Sequence, residues 1–168
     1  MKTKNKQKGY TLIEIIMSIV LMGIISGIFI STIVEGSRTY AFIESEYEAA
    51  FTAKFALKRL LLECRNASLI YSADKPEIDF QNCYGEHIVF KYSGNTITIS
   101  DNGGADNYPL CENAKYFSFM YFDNQNNQLS VPVDNPSEIQ SISISLETEK
   151  NGITFPVKGK VYLRTKQK

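Results

Sequence analysis

From Ile15 to Val34 the chain holds 20 residues without a single charge, and no other stretch limits so sharply what it can fold into. A helix of that length spans about 30 Å at about 1.5 Å per residue, the thickness of a bilayer's hydrocarbon core. Ahead of it, Lys2, Lys4, Lys6 and Lys8 are the only charges before Glu14. A basic head without acids keeps residues 1–8 on the cytoplasmic side of a membrane, so the remainder is expected outside. An ordinary secretory signal has the same head and apolar middle, but it ends in a small-residue cleavage site after a shorter core. Here the apolar run continues past both Ser26-Gly27 and Ser31-Thr32.

The anomaly lies at the start of the run, in Gly9-Tyr10-Thr11-Leu12-Ile13-Glu14. An acid at the edge of an apolar span costs a few kcal/mol if it enters lipid, so Glu14 needs a partner or a function. Were the chain cut after Gly9, Tyr10 would carry a new α-amine one helical turn from Glu14, an acid already favoured near the positive end of the helix dipole. An amine on a neighbouring copy would serve equally well.

Lys8-Gly9-Tyr10-Thr11-Leu12-Ile13-Glu14 and the apolar run behind it resemble the class III signal of type IV pilins and pseudopilins, whose usual form is glycine, then Phe or another apolar residue, then Thr-Leu-Ile-Glu. The resemblance implies that a membrane-bound prepilin peptidase cuts between Gly9 and Tyr10 and methylates Tyr10. It implies that Glu14 neutralises the N-terminal amine of an adjacent subunit during filament assembly. Tyr10 in place of the commoner Phe is a conservative departure. The implied partners are the peptidase, other major and minor pilins or pseudopilins, an inner-membrane assembly platform, and membrane lipid before assembly.

After Glu35 the sequence turns from wholly apolar to amphipathic, with no proline before Pro76. Ala50, Ala53, Leu57, Leu60, Leu61 and Cys64 recur at helical spacing, with Glu46, Lys54, Lys58 and Glu63 largely between them, which is a helix with one buried face. Residues 10 to about 70 are therefore expected as one helix of about 90 Å, weakest at Gly36-Ser37, where paired small residues favour a bend. Gly23 and Gly27 form a GxxxG, which either admits a second helix to close backbone contact or arises by chance in an apolar run.

Beyond Tyr71 the period changes to two. His87–Tyr92 and Asn95–Ser100 flank Ser93-Gly94, the pattern of a hairpin. Lys115–Phe122 and Gln128–Val133 are expected as strands, and so are the alternating Ile142, Ile144 and Leu146 and the closing Val157–Arg164. The fold class is thus α+β: a long N-terminal helix, membrane-embedded in its first half, with an antiparallel β-sheet head packed on its second half. The expected divisions are a removed leader at 1–9, a transmembrane and assembly segment at 10–34, an amphipathic helix at 35–70 and a β-rich head at 71–168. Within the family, Phe119–Asp123, Ile139–Leu146 and Val161–Arg164 are similar to the C-terminal order of pseudopilin J of type II secretion and of minor pilin W.

Losing Lys2, Lys4, Lys6 and Lys8 with the leader leaves 14 basic side chains against 18 acidic ones, which argues against general nucleic-acid binding by the head. The three cysteines contain no CxxC pair. One bridge outside the cytoplasm is expected between Cys83 and Cys111, both in the loop-rich second half; the alternative is three unpaired thiols with Cys64 packed on its helix. The lone His87 sits in a strand-like run and reads as structural, and no nucleophile elbow, phosphate loop or metal-spaced cysteine cluster occurs. No enzymatic activity and no cofactor are expected. Asp101 and Asp106 lie in an oxygen-rich turn where calcium is conceivable, but the spacing is not that of an EF-hand and a polar surface turn explains it.

Lys158, Lys160, Arg164, Lys166 and Lys168 guard an edge strand or contact a neighbouring subunit or DNA. The expected role is a minor pilin or pseudopilin held in the inner membrane and passed into a filament. The other readings are a competence pilus subunit that takes up DNA and a signal-anchored domain that never assembles.

Overall fold

The computed structural model describes residues 10–164. The chain divides into two compact units, Met1–Ile43 and Glu44–Lys168. Helix α1 (Leu12–Arg65) belongs to the first unit as far as Ile43 and to the second from Glu44. It runs unbroken through Gly36-Ser37, where a bend was expected.

In the first unit α1 is exposed all round, and four of its hydroxyl groups turn inward to their own backbone. Ser18 donates to the Glu14 carbonyl at 2.7 Å, Ser31 and Thr32 to the Ile28 carbonyl at 2.8 and 2.9 Å, and Thr39 to the Glu35 carbonyl at 2.9 Å. These four hydroxyls are thereby satisfied without water. An 18-residue window of the helix reaches a mean hydropathy of 2.5, enough by length and composition to cross a membrane.

The second unit holds the core. From Glu44 the buried positions of α1 are Ser45, Ala49, Ala53, Ala56, Leu60 and Cys64, a stripe at helical spacing made chiefly of small residues. The sequence placed Ala50 and Leu57 there; the sheet covers Ala49 and Ala56 instead, and Leu57 and Leu61 pack only partly buried at its rim. Alanines at three of those positions let a sheet approach the helix backbone closely.

The helix stops at Arg65, short of the expected residue 70. Asn66 turns the chain, donating to the Glu63 carbonyl at 3.0 Å, and strand β1 (Ala67–Ala73) follows at once. Its partners are β2 (Glu77–Asn82), β3 (His87–Ser93), β4 (Thr96–Ser100) and β5 (Tyr108–Cys111), which form one antiparallel sheet in sequence order. The β3–β4 hairpin closes as expected, but its two-residue loop is Gly94-Asn95, with φ of 58° and 66°. Positive φ at both loop residues is the type I′ turn whose twist suits a hairpin, and Gly and Asn are the residues that tolerate it.

The second sheet has the order β6 (Ala114–Phe122), β7 (Ser141–Lys150) and β8 (Ile153–Tyr162). Asn151-Gly152 joins β7 to β8 with φ of 51° and 81°, again a type I′ turn. One face of this sheet carries Phe117, Phe119 and Tyr121 opposite Leu146, Ile144 and Ile142, with Val157, Gly159 and Val161 beyond. That face meets α1. The buried Thr148 hydroxyl donates to the Ala49 carbonyl at 2.9 Å, and Asn151 Nδ2 donates to Ser45 Oγ at 2.8 Å.

Gly159 lies directly under the helix: a Cβ there would sit 2.7 Å from Leu61 Cδ1. Phe80, Phe90, Ile78 and Ile97 of the first sheet join the same core. The two sheets are tied where Tyr121 donates its hydroxyl hydrogen to the Asp74 carbonyl at 2.8 Å.

Gln128–Val133 is not a strand; Gln128 makes a single bridge to Phe122 and the chain then loops to a 3-10 turn at Pro136–Glu138. Pro132 inside that stretch has no amide hydrogen to give to a ladder. The expected bridge between Cys83 and Cys111 is also absent: all three cysteines are free, Cys64 and Cys111 buried and Cys83 exposed. Cys83 follows β2 in the β2–β3 turn, while Cys111 is level with Ile97 at the far end of β3 and β4. Three strand intervals, about 14 Å, separate β2 from β5 before the offset along the strands is added, well beyond the reach of a disulfide.

Candidate functional site

The N-terminus of α1 is built by Thr11 and Glu14. Thr11 precedes the first helical residue, and its amide and its hydroxyl both donate to Glu14 Oε2, at 2.9 and 3.0 Å. In return the Glu14 amide donates to Thr11 Oγ1 at 3.4 Å. This reciprocal arrangement is a capping box: it satisfies backbone donors that a helix start leaves without partners. The signal for it, Thr-x-x-Glu ahead of an apolar run, stands in the sequence, yet the sequence reading gave Glu14 only an amine as partner and missed Thr11.

The box also aims the carboxylate. Thr11 occupies Oε2, whereas Oε1 takes no hydrogen bond among the described residues and the side chain is exposed. Glu14 is thus held in one orientation with an acceptor oxygen left for an outside cation. Tyr10 stands just ahead of the cap, outside the helix and 84% exposed. Gly9 lies outside the described residues, so the site is seen from one side of its expected scissile bond. Gly23 and Gly27 have nothing within 4 Å of where a Cβ would sit, which leaves that strip of helix open to a second helix.

The comparisons bear on this segment. Residues 4–30 match the family model described as the prokaryotic N-terminal methylation motif. This is the class III signal of the type IV pilin and pseudopilin family. The long helix followed by antiparallel sheets is a pilin-like α+β architecture, and the matched motif supports a pilin-like precursor of the kind processed by prepilin peptidase. No curated protein matches the chain.

The remaining residues singled out in the sequence fall elsewhere. His87 bonds Asp79 and lies against Tyr71 with ring centroids 4.8 Å apart, a structural placement. Asp101 and Asp106 flank a turn held by its backbone: the Gly103 amide donates to the His87 carbonyl and the Gly104 amide to Ser100 Oγ. No group of three or more His, Cys, Asp or Glu side chains suited to a metal occurs among the described residues. Lys158 and Lys160 lie on β8, the edge of its sheet, with Lys160 bonded to Asn126 and set 3.9 Å over the Phe122 ring. Lys166 and Lys168 lie outside the described residues.

Proposed function

We propose that the chain is a minor pilin or pseudopilin, a structural subunit of a type IV pilus or a type II secretion pseudopilus. In this reading prepilin peptidase cuts between Gly9 and Tyr10, and Tyr10 becomes the methylated N-terminus. Ile15–Val34 holds the subunit in the inner membrane with the head outside until Glu14 receives the amine of a neighbouring subunit. The similarity of the head to pseudopilin J and minor pilin W favours a minor subunit, and no catalytic step is assigned to it.

The observation that carries the proposal is the class III signal on a helix whose capping glutamate is oriented by Thr11 and, among the described residues, keeps one oxygen unoccupied. A carboxylate at the edge of an apolar span attracts a cation strongly, because lipid screens their interaction far less than water does. A subunit whose new amine meets such an acid exchanges lipid for protein around its own span.

Mass spectrometry of the chain in its native membrane tests processing: the expected N-terminus is N-methylated Tyr10. Glu14→Ala tests assembly: processing should persist while the chain disappears from sheared filaments. An unprocessed N-terminus removes the family role, and unaltered behaviour of Glu14→Ala supports a domain that is anchored but never assembles.

A further inference from the structure

We propose that the face of the second sheet turned away from α1 binds an acidic glycan, a chain of sugar rings bearing carboxylates or phosphates. The inference goes beyond the filament reading and concerns the head alone. Ile142, Ile144 and Leu146 of β7 lie in the core, so by strand alternation Ser141, Ser143 and Ser145 lie on the opposite face. Serines on a solvated face bond water, yet Ser141 and Ser143 are 1% and 2% exposed. They form the floor of a trough, below longer side chains from the strands on either side.

The register places those walls. Phe122 and Tyr162 flank Ser141, Met120 and Lys160 flank Ser143, and Tyr116 and Pro156 flank Glu147 at the other end. Six residues separate Tyr116 from Phe122, about 20 Å of strand, and β6 to β8 spans two strand intervals, about 10 Å. A short run of sugar rings fits that length and width. At the Tyr116 end the trough opens into a cavity of about 320 Å³ bounded by Tyr116, Ser145, Glu147, Pro156 and Lys158.

The groups in the trough suit a sugar. Tyr116 and Tyr162, 52% and 58% exposed, offer aromatic faces on which the apolar C–H face of a sugar ring stacks. Serine hydroxyls donate and accept, Glu147 accepts and Lys158 donates, so sugar hydroxyls find both kinds of partner. Ser141 Oγ is buried with no hydrogen-bond partner, a costly state for a hydroxyl. Lys160 reaches across that end of the trough: it donates to Asn126, and its Nζ stands 3.9 and 5.6 Å from the ring centroids of Phe122 and Tyr162. A flexible stem held only by neutral groups can swing aside, and a ligand hydroxyl then gives Ser141 its missing partner.

Charge decides the class of glycan. Residues 44–164 hold 16 acidic side chains against 11 basic ones, yet the strand partners of Ser141, Ser143 and Ser145 include Lys158 and Lys160 and no acid. A cationic strip on an acidic head favours an anionic ligand. Two lysines are few for a nucleic-acid backbone, and serine and lysine are depleted at protein interfaces. An acidic glycan uses both.

The test uses the full chain, purified in a detergent without a sugar headgroup and titrated calorimetrically with hexagalacturonate, hexaguluronate and a hyaluronate hexasaccharide. Maltohexaose and an oligothymidylate serve as controls. Saturable binding of at least one acidic hexasaccharide, and of neither control, is expected. Tyr116→Ala and Lys158→Ala should each weaken it several-fold, whereas Tyr116→Phe keeps the ring and should not. Ser141→Ala removes the unpartnered hydroxyl and should weaken binding while leaving Tm unchanged or higher, a combination that a purely structural role would not give. Three acidic hexasaccharides that all fail to bind, a control that binds as well as they do, or folded Ser141→Ala and Tyr116→Ala chains with the parent's affinity would overturn the proposal.

Discussion

Gly159 offers the sharpest check on how the head is mounted on its helix. Its backbone is ordinary strand, paired with Ile144, so alanine is acceptable to the main chain and the outcome turns on space alone. The added Cβ would meet Leu61 Cδ1 at 2.7 Å, Leu61 Cδ2 at 3.2 Å and Leu57 Cδ1 at 3.4 Å. Ordinary contact begins near 3.4 Å, so Leu61 must retreat by about 0.7 Å. Leu57 already stands at contact on one side, which limits its escape.

Overpacking of this size costs about 1–3 kcal/mol, and the stiffer unfolded chain returns about 0.4–1 kcal/mol. The net loss is about 1–2 kcal/mol. Residues 44–168 form one compact unit that contains the whole core, and for a fragment of that size the loss amounts to about 4–8 °C in Tm. Thermal and urea unfolding of this fragment, with and without Gly159→Ala, measure it. In a double-mutant cycle Leu61→Ala should suppress most of the penalty. A Gly159→Ala fragment as stable as its parent, or zero coupling to Leu61, would refute the close approach of α1 to β8.

The thiols should differ in the native head: Cys83 should react with a maleimide at once, and Cys64 and Cys111 only after unfolding, as read by mass. Burial raises both of those thiols above their ordinary value of 9.0, Cys111 to about 11. Because the unfolded chain then loses these protons first, stability should decline as pH rises from 9 towards 11, and less steeply in Cys111→Ala. Thr148→Val removes the buried bond to Ala49 while keeping the side chain's shape and should cost about 1 kcal/mol by urea titration. Thr11→Ala removes the two bonds that the Thr11 hydroxyl makes with Glu14, leaving the Thr11 amide bond in place, and should lower assembly into sheared filaments with cleavage intact; full assembly in that variant would separate the cap from the assembly role.

The first forty residues were the most legible, because an uncharged run of membrane length and a misplaced acid are each rare and point the same way. The helix end was not. Ser68, Leu69 and Ile70 continue an apolar spacing that a helix or a strand can use, and only the Asn66 turn ends α1. The β7–β8 hairpin was written in plain form by Asn151-Gly152, yet its strands were placed too short because Thr148 and Glu149 look polar; Thr148 is buried by giving its hydroxyl to the helix. The Cys83–Cys111 expectation failed for a deeper reason. Sheet order sets which cysteines meet, and nothing local in the sequence encodes that β5 lies three strands from β2. At the candidate site Glu14 was found by its cost, whereas Thr11 was overlooked because a threonine costs nothing where it stands.

The contacts that join the β7–β8 hairpin to α1 also matter to a part that is pulled. Thr148 to Ala49, Asn151 to Ser45 and the Lys150–Glu48 ion pair at 2.8 Å lie within two turns of the helix. Because their helix partners, residues 45, 48 and 49, sit within about one turn, a load on that stretch of helix falls on all three contacts together, as on rivets in one plate. The hairpin tip is therefore a clamp that grips a single stretch of the helix at three points at once.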